Sequence, residues 1–163
     1  MLKLLPFRAT LTLDPKGRLS LPKEVKQALE ASDKSKLVAV APDGDQGGIR
    51  LFTLEQYNSW IDAHPATEDP YDPTYDDFML GVLATNQTLQ VDRSGRVVIP
   101  LALRELGGLT DKVVAFSPGK PWIDIWAQER LDAAQDAAAK RNREQRRSYA
   151  RRRQTQRAER SSE

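Results

Sequence analysis

Arg18 and Arg96 each follow a glycine and stand four residues after an aspartate, in the stretches Leu13-Asp14-Pro15-Lys16-Gly17-Arg18 and Val91-Asp92-Arg93-Ser94-Gly95-Arg96. A guanidinium is a permanently charged planar fork suited to a phosphate or a guanine edge. Lys16, Arg93 and Arg8 add further cations, so the basic residues outside the C-terminal tail concentrate around these two stretches. In an Asp-x-x-x-Arg turn the carboxylate can cap the downstream backbone and steer the arginine. Two readings of Asp14, Gly17, Asp92 and Gly95 with their arginines stay open: an anion-reading hairpin tip, or a structural turn with a surface ion pair.

The elements that must hold these residues follow from patterning. Phe7, Ala9, Leu11 and Leu13 alternate with Arg8, Thr10 and Thr12, the period of a half-buried strand. Asp14-Pro15-Lys16-Gly17 is a turn, and Leu19 and Leu21 resume the alternation, so the segment is a β-hairpin. Pro22 suits the first position of a helix, and Val25, Ala28 and Leu29 give that helix one apolar face. Two β-runs follow, at 36–41 and 49–53. The scheme then repeats, with strands near 87–92, 96–99, 112–117 and 122–126 and a helix from Pro100 to Leu106.

The repetition is literal at the hairpins. Leu13, Asp14, Gly17-Arg18, Leu19, Leu21 and Pro22 recur 78 residues later as Val91, Asp92, Gly95-Arg96, Val97, Ile99 and Pro100. Leu37 to Val40 is answered by Val113 to Phe116, and Ile49-Arg50-Leu51-Phe52 by Ile123-Asp124-Ile125-Trp126, with the offset drifting only to 76 and then 74. The chain is an internal duplication. The organisation read from this is a first repeat over 5–62, a linker and acidic helix over 63–86, a second repeat over 87–130 and a basic extension over 131–163.

The doubled Asp-x-x-Gly-Arg hairpin closed by a proline, followed each time by a helix and a strand pair, resembles the MraZ family, bacterial transcriptional regulators built from two SpoVT/AbrB-type swapped-hairpin halves. The resemblance spans about residues 5 to 130 and includes the acidic helix Asp76 to Ala84, Leu103-Arg104-Glu105-Leu106 with Gly108-Leu109, and the strand Ile123 to Trp126. Arg93-Ser94 replaces a more usual Lys-rich or Gln-containing turn, and the basic tail is not a general feature of the family. The resemblance implies an α+β, β-rich fold, a duplicated AbrB-like swapped-hairpin β-barrel with flanking helices. It further implies a cytoplasmic, nucleoid-associated homo-oligomeric ring that binds double-stranded DNA at direct repeats upstream of the division and cell-wall gene cluster; the basic cluster of Arg8, Lys16, Arg18, Arg93 and Arg96 supplies the expected DNA-binding residues.

The net charge of +2 over 163 residues hides an asymmetry. Residues 140–163 hold ten Lys/Arg and three Glu, a net +7, which leaves −5 on residues 1–139. An acidic body cannot grip a polyanion by its average field, so any such surface is a local cluster. The tail is Ala-rich and helix-favouring from Asp132 to Ala139 and then carries Lys140, Arg141, Arg143, Arg146, Arg147, Arg151, Arg152 and Arg153 with almost no apolar residue. It is expected to be helical from about 128 into the 140s and disordered beyond. It reads either as a sequence-independent phosphate clamp or as a solvated tail.

Other constellations point elsewhere. The chain has no cysteine, which removes disulfides and thiolate metal sites. Its N-terminal apolar run is too short for a signal peptide and no 18-residue apolar stretch occurs, so a soluble, unexported protein is expected, with no membrane partner. Asp43-Gly44-Asp45-Gln46-Gly47-Gly48 has a calcium-loop flavour, but Leu54 stands where a bidentate Glu is needed, so a hairpin loop is expected. The carboxylates Glu68, Asp69, Asp72, Asp76 and Asp77 lie among Pro65, Pro70 and Pro73, a linker in which Asp72 caps a helix beginning at Pro73. His64 has no second ligand beside it, and Trp60, Trp122 and Trp126 read as core or interface residues. No nucleophile-base set or phosphate-cradling loop is present, so no catalytic residue, cofactor, metal or small-molecule substrate is expected. A second reading from the residues alone is an interaction module, an AbrB-like antitoxin or scaffold whose basic tail binds protein or RNA.

Overall fold

A computed structural model of the chain describes residues 3–32, 34–42, 47–69 and 71–160. Asp43 to Gln46 of the loop with calcium-site flavour, and Pro70 of the linker, lie outside the described residues. The order is β1 (Phe7–Thr12), β2 (Arg18–Ser20), α1 (Lys23–Ala31), β3 (Lys36–Val40), β4 (Ile49–Phe52), α2 (Leu54–Asp62), a 3-10 turn at Pro65–Thr67, α3 (Pro73–Thr85), β5 (Gln87–Gln90), β6 (Arg96–Val98), α4 (Leu101–Leu106), β7 (Lys112–Ser117), β8 (Ile123–Ala127) and α5 (Gln128–Arg160). The fold is α+β, as the patterning implies.

Local chemistry sets most of these bounds. In β1, half-buried Phe7, Ala9 and Leu11 alternate with exposed Arg8, Thr10 and Thr12. Pro22 and Pro100 sit one position earlier than expected, as N-cap residues with φ of −57° and ψ of 153° and 148°. The extended ψ ends the preceding strand segment, and the missing proline N–H leaves no donor to satisfy there. Asp72 caps α3 as expected, its carboxylate accepting from the Thr74 amide at 2.8 Å. Helix α2, which the sequence reading does not include, starts with a reciprocal cap. The Gln56 amide donates to the Thr53 hydroxyl at 3.4 Å and the Thr53 amide to the Gln56 side-chain oxygen at 3.2 Å.

Six strands form one antiparallel sheet in the order β1-β7-β8-β4-β3-β5, and β2 and β6 form a separate two-stranded ribbon. Four of the six ladders join one repeat to the other: β1 with β7, β3 with β5, β4 with β8 and β2 with β6. The exchange is reciprocal, Leu11 facing Val113 in one ladder and Leu89 facing Leu37 in its counterpart. The core is shared in the same way. Leu19, Leu21 and Val25 of the first repeat cluster with Val97, Ile99 and Leu103 of the second, none more than 2% exposed. At about 1.5–3 kcal/mol per fully buried aliphatic side chain, separating the repeats would strip both of their main stabilising term.

The expected barrel closure is not what the structure shows. The six-stranded sheet is open, with β1 and β5 as its edges. The short β2 and β6 pair with each other, and a single bridge, Leu13 to Leu19, ties β2 back toward β1. Three-residue strands offer too few ladder bonds to seal both edges of a sheet.

The chain divides into two compact units, Met1–Gln128 and Glu129–Glu163. Within the second, α5 is a 33-residue helix that runs to Arg160, well past the expected end in the 140s. Ala, Arg, Gln, Glu and Lys are strong helix formers, and no Gly or Pro interrupts residues 128–160. A helix without a continuous apolar stripe still forms where its residues favour the helical backbone. Among the described residues no helix is long and apolar enough to cross a membrane.

Candidate nucleic-acid interface

The two hairpin turns are built alike, bond for bond. In the first, one Asp14 carboxylate oxygen accepts from the amides of Lys16 at 2.9 Å and Arg18 at 2.8 Å, while the other accepts from Arg18 Nε at 2.5 Å. In the second, Asp92 accepts from the amides of Ser94 at 2.8 Å and Arg96 at 2.9 Å, and from Arg96 Nε at 3.0 Å. Each turn closes with a glycine amide on the aspartate carbonyl at 2.9 Å, Gly17 on Asp14 and Gly95 on Asp92. The glycines are required, since φ is +83° at Gly17 and +72° at Gly95. The Arg18 and Arg96 amides, with help from their guanidinium groups, hold the Asp14 and Asp92 carboxyls below the ordinary carboxylate value. Both stay charged at neutral pH, and each bonds its arginine through Nε, on a side chain that remains more than half exposed.

The ribbon then puts both arginines on one face. Arg18 faces Val98, Leu19 faces Val97 and Ser20 faces Arg96 across β2 and β6. Leu19 and Val97 point into the core, and the other four side chains are exposed. The guanidinium-bearing side chains are 58% and 57% exposed. Arg18 and Arg96 are diagonal neighbours on this face, a relation that places two residues about 7–8 Å apart. The tips lie at opposite ends. Ile99 donates to the Gly17 carbonyl at 2.8 Å and Leu21 to the Gly95 carbonyl at 2.9 Å, so the tip glycines are separated by four strand positions, about 13 Å at the usual rise.

Lys16 and Arg93 are exposed on their tips. Arg8 is not brought to them: it faces Phe116 near the start of β1, six residues before Asp14, roughly 20 Å of extended strand. Lys140, Arg141, Arg143, Arg146, Arg147, Arg151, Arg152 and Arg153 are all exposed along α5. At 100° per residue they surround the helix without forming a single stripe.

Two residues that sequence reasoning did not single out join the ribbon from the helices behind it. Lys26 of α1 donates to the Ser20 hydroxyl at 3.0 Å and runs its stem over Gly95, and Arg104 of α4 donates to the carbonyls of Ile99 at 3.0 Å and Pro15 at 3.3 Å. They are equivalent positions, 78 residues apart like the hairpins, and that spacing is the signal which could have found them.

The remaining candidates have structural surroundings. His64 stacks on Phe78 with ring centres 3.6 Å apart, and Trp60 stacks on Phe52 at 5.2 Å. Arg50 pairs with buried Asp124 at 2.7 Å and lies 4.6 Å above the Trp122 ring. Trp126 packs against Gly48, where a β-carbon would lie only 2.4 Å from the indole. Among the described residues no group of three or more His, Cys, Asp or Glu is placed to hold a metal.

Fold and site together define an α+β protein whose β2–β6 ribbon carries a solvent-facing pair of carboxylate-oriented arginines. No family profile matches the chain. It is nonetheless 33% identical to a transcriptional regulator MraZ of Oleidesulfovibrio alaskensis, over 77% of this chain and 82% of that one. It is 31% identical to that of Xanthobacter autotrophicus, over 83% and 84%, and 32% identical to that of Nitratidesulfovibrio vulgaris, over 79% and 85%. The chain belongs to the MraZ family.

Proposed function

We propose that this protein is a sequence-specific DNA-binding transcriptional regulator that reads the major groove with its β2–β6 ribbon. The observation that carries the reading is the pair Arg18 and Arg96 on one exposed face of a two-stranded antiparallel ribbon, each held by its own aspartate. A major groove about 12 Å wide admits such a ribbon, and an arginine fork suits a guanine edge. Lys16 and Arg93 at the tips then meet the flanking phosphates. The family's regulators supply the biological setting, and they support the view that this half-exchanged architecture is a duplicated swapped hairpin.

One ribbon offers little contact area. A closed ring of identical subunits that meets several short direct repeats in register gains affinity by effective concentration. On this reading the protein works in the cytoplasm at the nucleoid and acts on repeats upstream of the division and cell-wall genes, without catalysis. The α5 cations add a sequence-independent phosphate contact whose strength falls with salt. A gel shift with the duplex upstream of the protein's own gene, against a shuffled duplex of the same composition, tests this. Retardation of the native sequence at concentrations that leave the shuffled one free is expected; equal retardation overturns sequence-specific reading.

A further inference from the structure

The two tips match in their own bonds, yet they are supported differently, and the difference lies in residues donated by the opposite repeat. At the first tip, Arg104 spans two backbone carbonyls, Ile99 on β6 at 3.0 Å and Pro15 in the turn itself at 3.3 Å. Its guanidinium also lines Gly17: a β-carbon there would lie 3.0 Å from Arg104 Nε and 2.4 Å from the Ile99 oxygen. At the second tip the equivalent Lys26 lays its methylenes nearest Gly95, and its ammonium donates to the Ser20 hydroxyl of its own repeat at 3.0 Å. A planar fork fixes two acceptors at once, whereas an ammonium on a flexible stem fixes a point.

We propose that Arg104 is a positioning residue that makes the Asp14–Arg18 tip the stiff reader of the protomer, while the Asp92–Arg96 tip is left to adjust to the DNA it meets. This rests on the reading of the ribbon as a DNA-binding surface. A loop already held in its bound shape loses less freedom on binding, so the clamped tip sets sequence preference and the looser tip tolerates variation. Arg104 itself is half-buried behind the ribbon, with Nε and one terminal amino group turned to backbone oxygens. It therefore acts through the tip and not by touching a phosphate.

The test uses full-length Arg104→Lys and Arg104→Met, with thermal melts confirming that both are folded. In the protein without DNA, amide hydrogen exchange at residues 16–18 should rise about tenfold in either variant, the effect of losing roughly one hydrogen bond's worth of restraint. Exchange at residues 94–96 should stay within about twofold of the native rate on the same reasoning. Affinity for the upstream duplex should fall about tenfold, as for one lost hydrogen bond, with the shuffled duplex little affected and the salt slope of both variants native.

Unchanged exchange at residues 16–18 overturns the clamp. A salt slope shallower by about 0.9 in Arg104→Met alone overturns the positioning role, because the guanidinium would then be a phosphate contact. Should the native protein fail to distinguish the two duplexes, the DNA reading falls and the positioning role falls with it. If the native protein discriminates and Arg104→Lys discriminates equally well, only the role of Arg104 is lost.

Discussion

Replacing the two tip glycines by alanine, one at a time, separates the two halves of the pseudo-symmetric site. Both substitutions put an L side chain at positive φ, +83° at position 17 and +72° at position 95, a cost of about 1–2 kcal/mol. The surroundings then diverge. The β-carbon of Gly17→Ala would lie 2.4 Å from the Ile99 carbonyl oxygen. That backbone cannot swing aside, because Ile99 donates to the Gly17 carbonyl at 2.8 Å and its own carbonyl is held by Arg104 at 3.0 Å. Overpacking against fixed atoms adds about 1–3 kcal/mol. The atoms nearest the β-carbon of Gly95→Ala would be Lys26 methylenes, at 2.6 to 2.7 Å, a side chain and not backbone, and moving that stem to a new rotamer costs its bond to Ser20, about 0.5–1 kcal/mol. Gly17→Ala should therefore destabilise by about 3 kcal/mol and Gly95→Ala by about 2 kcal/mol. Urea denaturation at one fixed protein concentration measures both, because association shifts apparent stability. An equal loss from the two variants, or a larger one from Gly95→Ala, would mean that the Ile99 carbonyl is not a fixed wall against position 17.

Further outcomes follow from the same geometry. Deleting residues 140–163 should flatten the slope of log affinity against log salt by about 0.9 for each phosphate contact removed and raise the ratio of specific to random binding; a native slope would mean that α5 does not touch DNA. Asp14 and Asp92 have carboxyls held below the ordinary value by the Arg18 and Arg96 amides. Their stabilisation is present above about pH 4 and is lost as pH falls through the lower folded values. A double Asp14→Asn, Asp92→Asn variant should show a shallower loss of stability on acidification than the native protein, and superimposable acid profiles would count against the caps. Asp124→Ala should cost about 3 kcal/mol in denaturant titration, because it leaves Arg50, whose side chain is 23% exposed, without its partner; a loss under about 1 kcal/mol would mean that the pair is as weak as a surface one.

Much of the α+β scheme could be read from the chain because the informative interactions are local. Alternation gave β1, the Asp-Gly chemistry gave both turns, and Asp72 with Pro73 gave the start of α3. Helix α2 was equally legible: Thr53 and Gln56 form a capping box, and Tyr57, Trp60 and Ile61 fall at helical spacing. Helix α5 outruns its expected end because composition without an apolar stripe speaks to packing, whereas helix formation follows backbone propensity. Barrel closure failed for a non-local reason, since nothing in the three residues of β2 says whether they extend a sheet edge or pair only with β6. Arg8 could have been set apart by counting extended residues back from Asp14. Arg104 could be aligned with Lys26, but its bond to Pro15, 89 residues away, depends on the pairing of β2 with β6.

The most direct test of the account is a fluorescence-anisotropy titration of the upstream duplex with the native protein, Arg18→Ala and Arg96→Ala, in parallel with the shuffled duplex. At about 1–3 kcal/mol per lost guanine contact, both variants should bind the upstream duplex at least fivefold more weakly while remaining native in oligomeric state. The larger loss should belong to Arg18→Ala, whose tip carries Lys16 where the other carries Ser94. Native affinity for the upstream duplex in folded Arg18→Ala and folded Arg96→Ala would contradict the assignment of the ribbon as the DNA-reading surface.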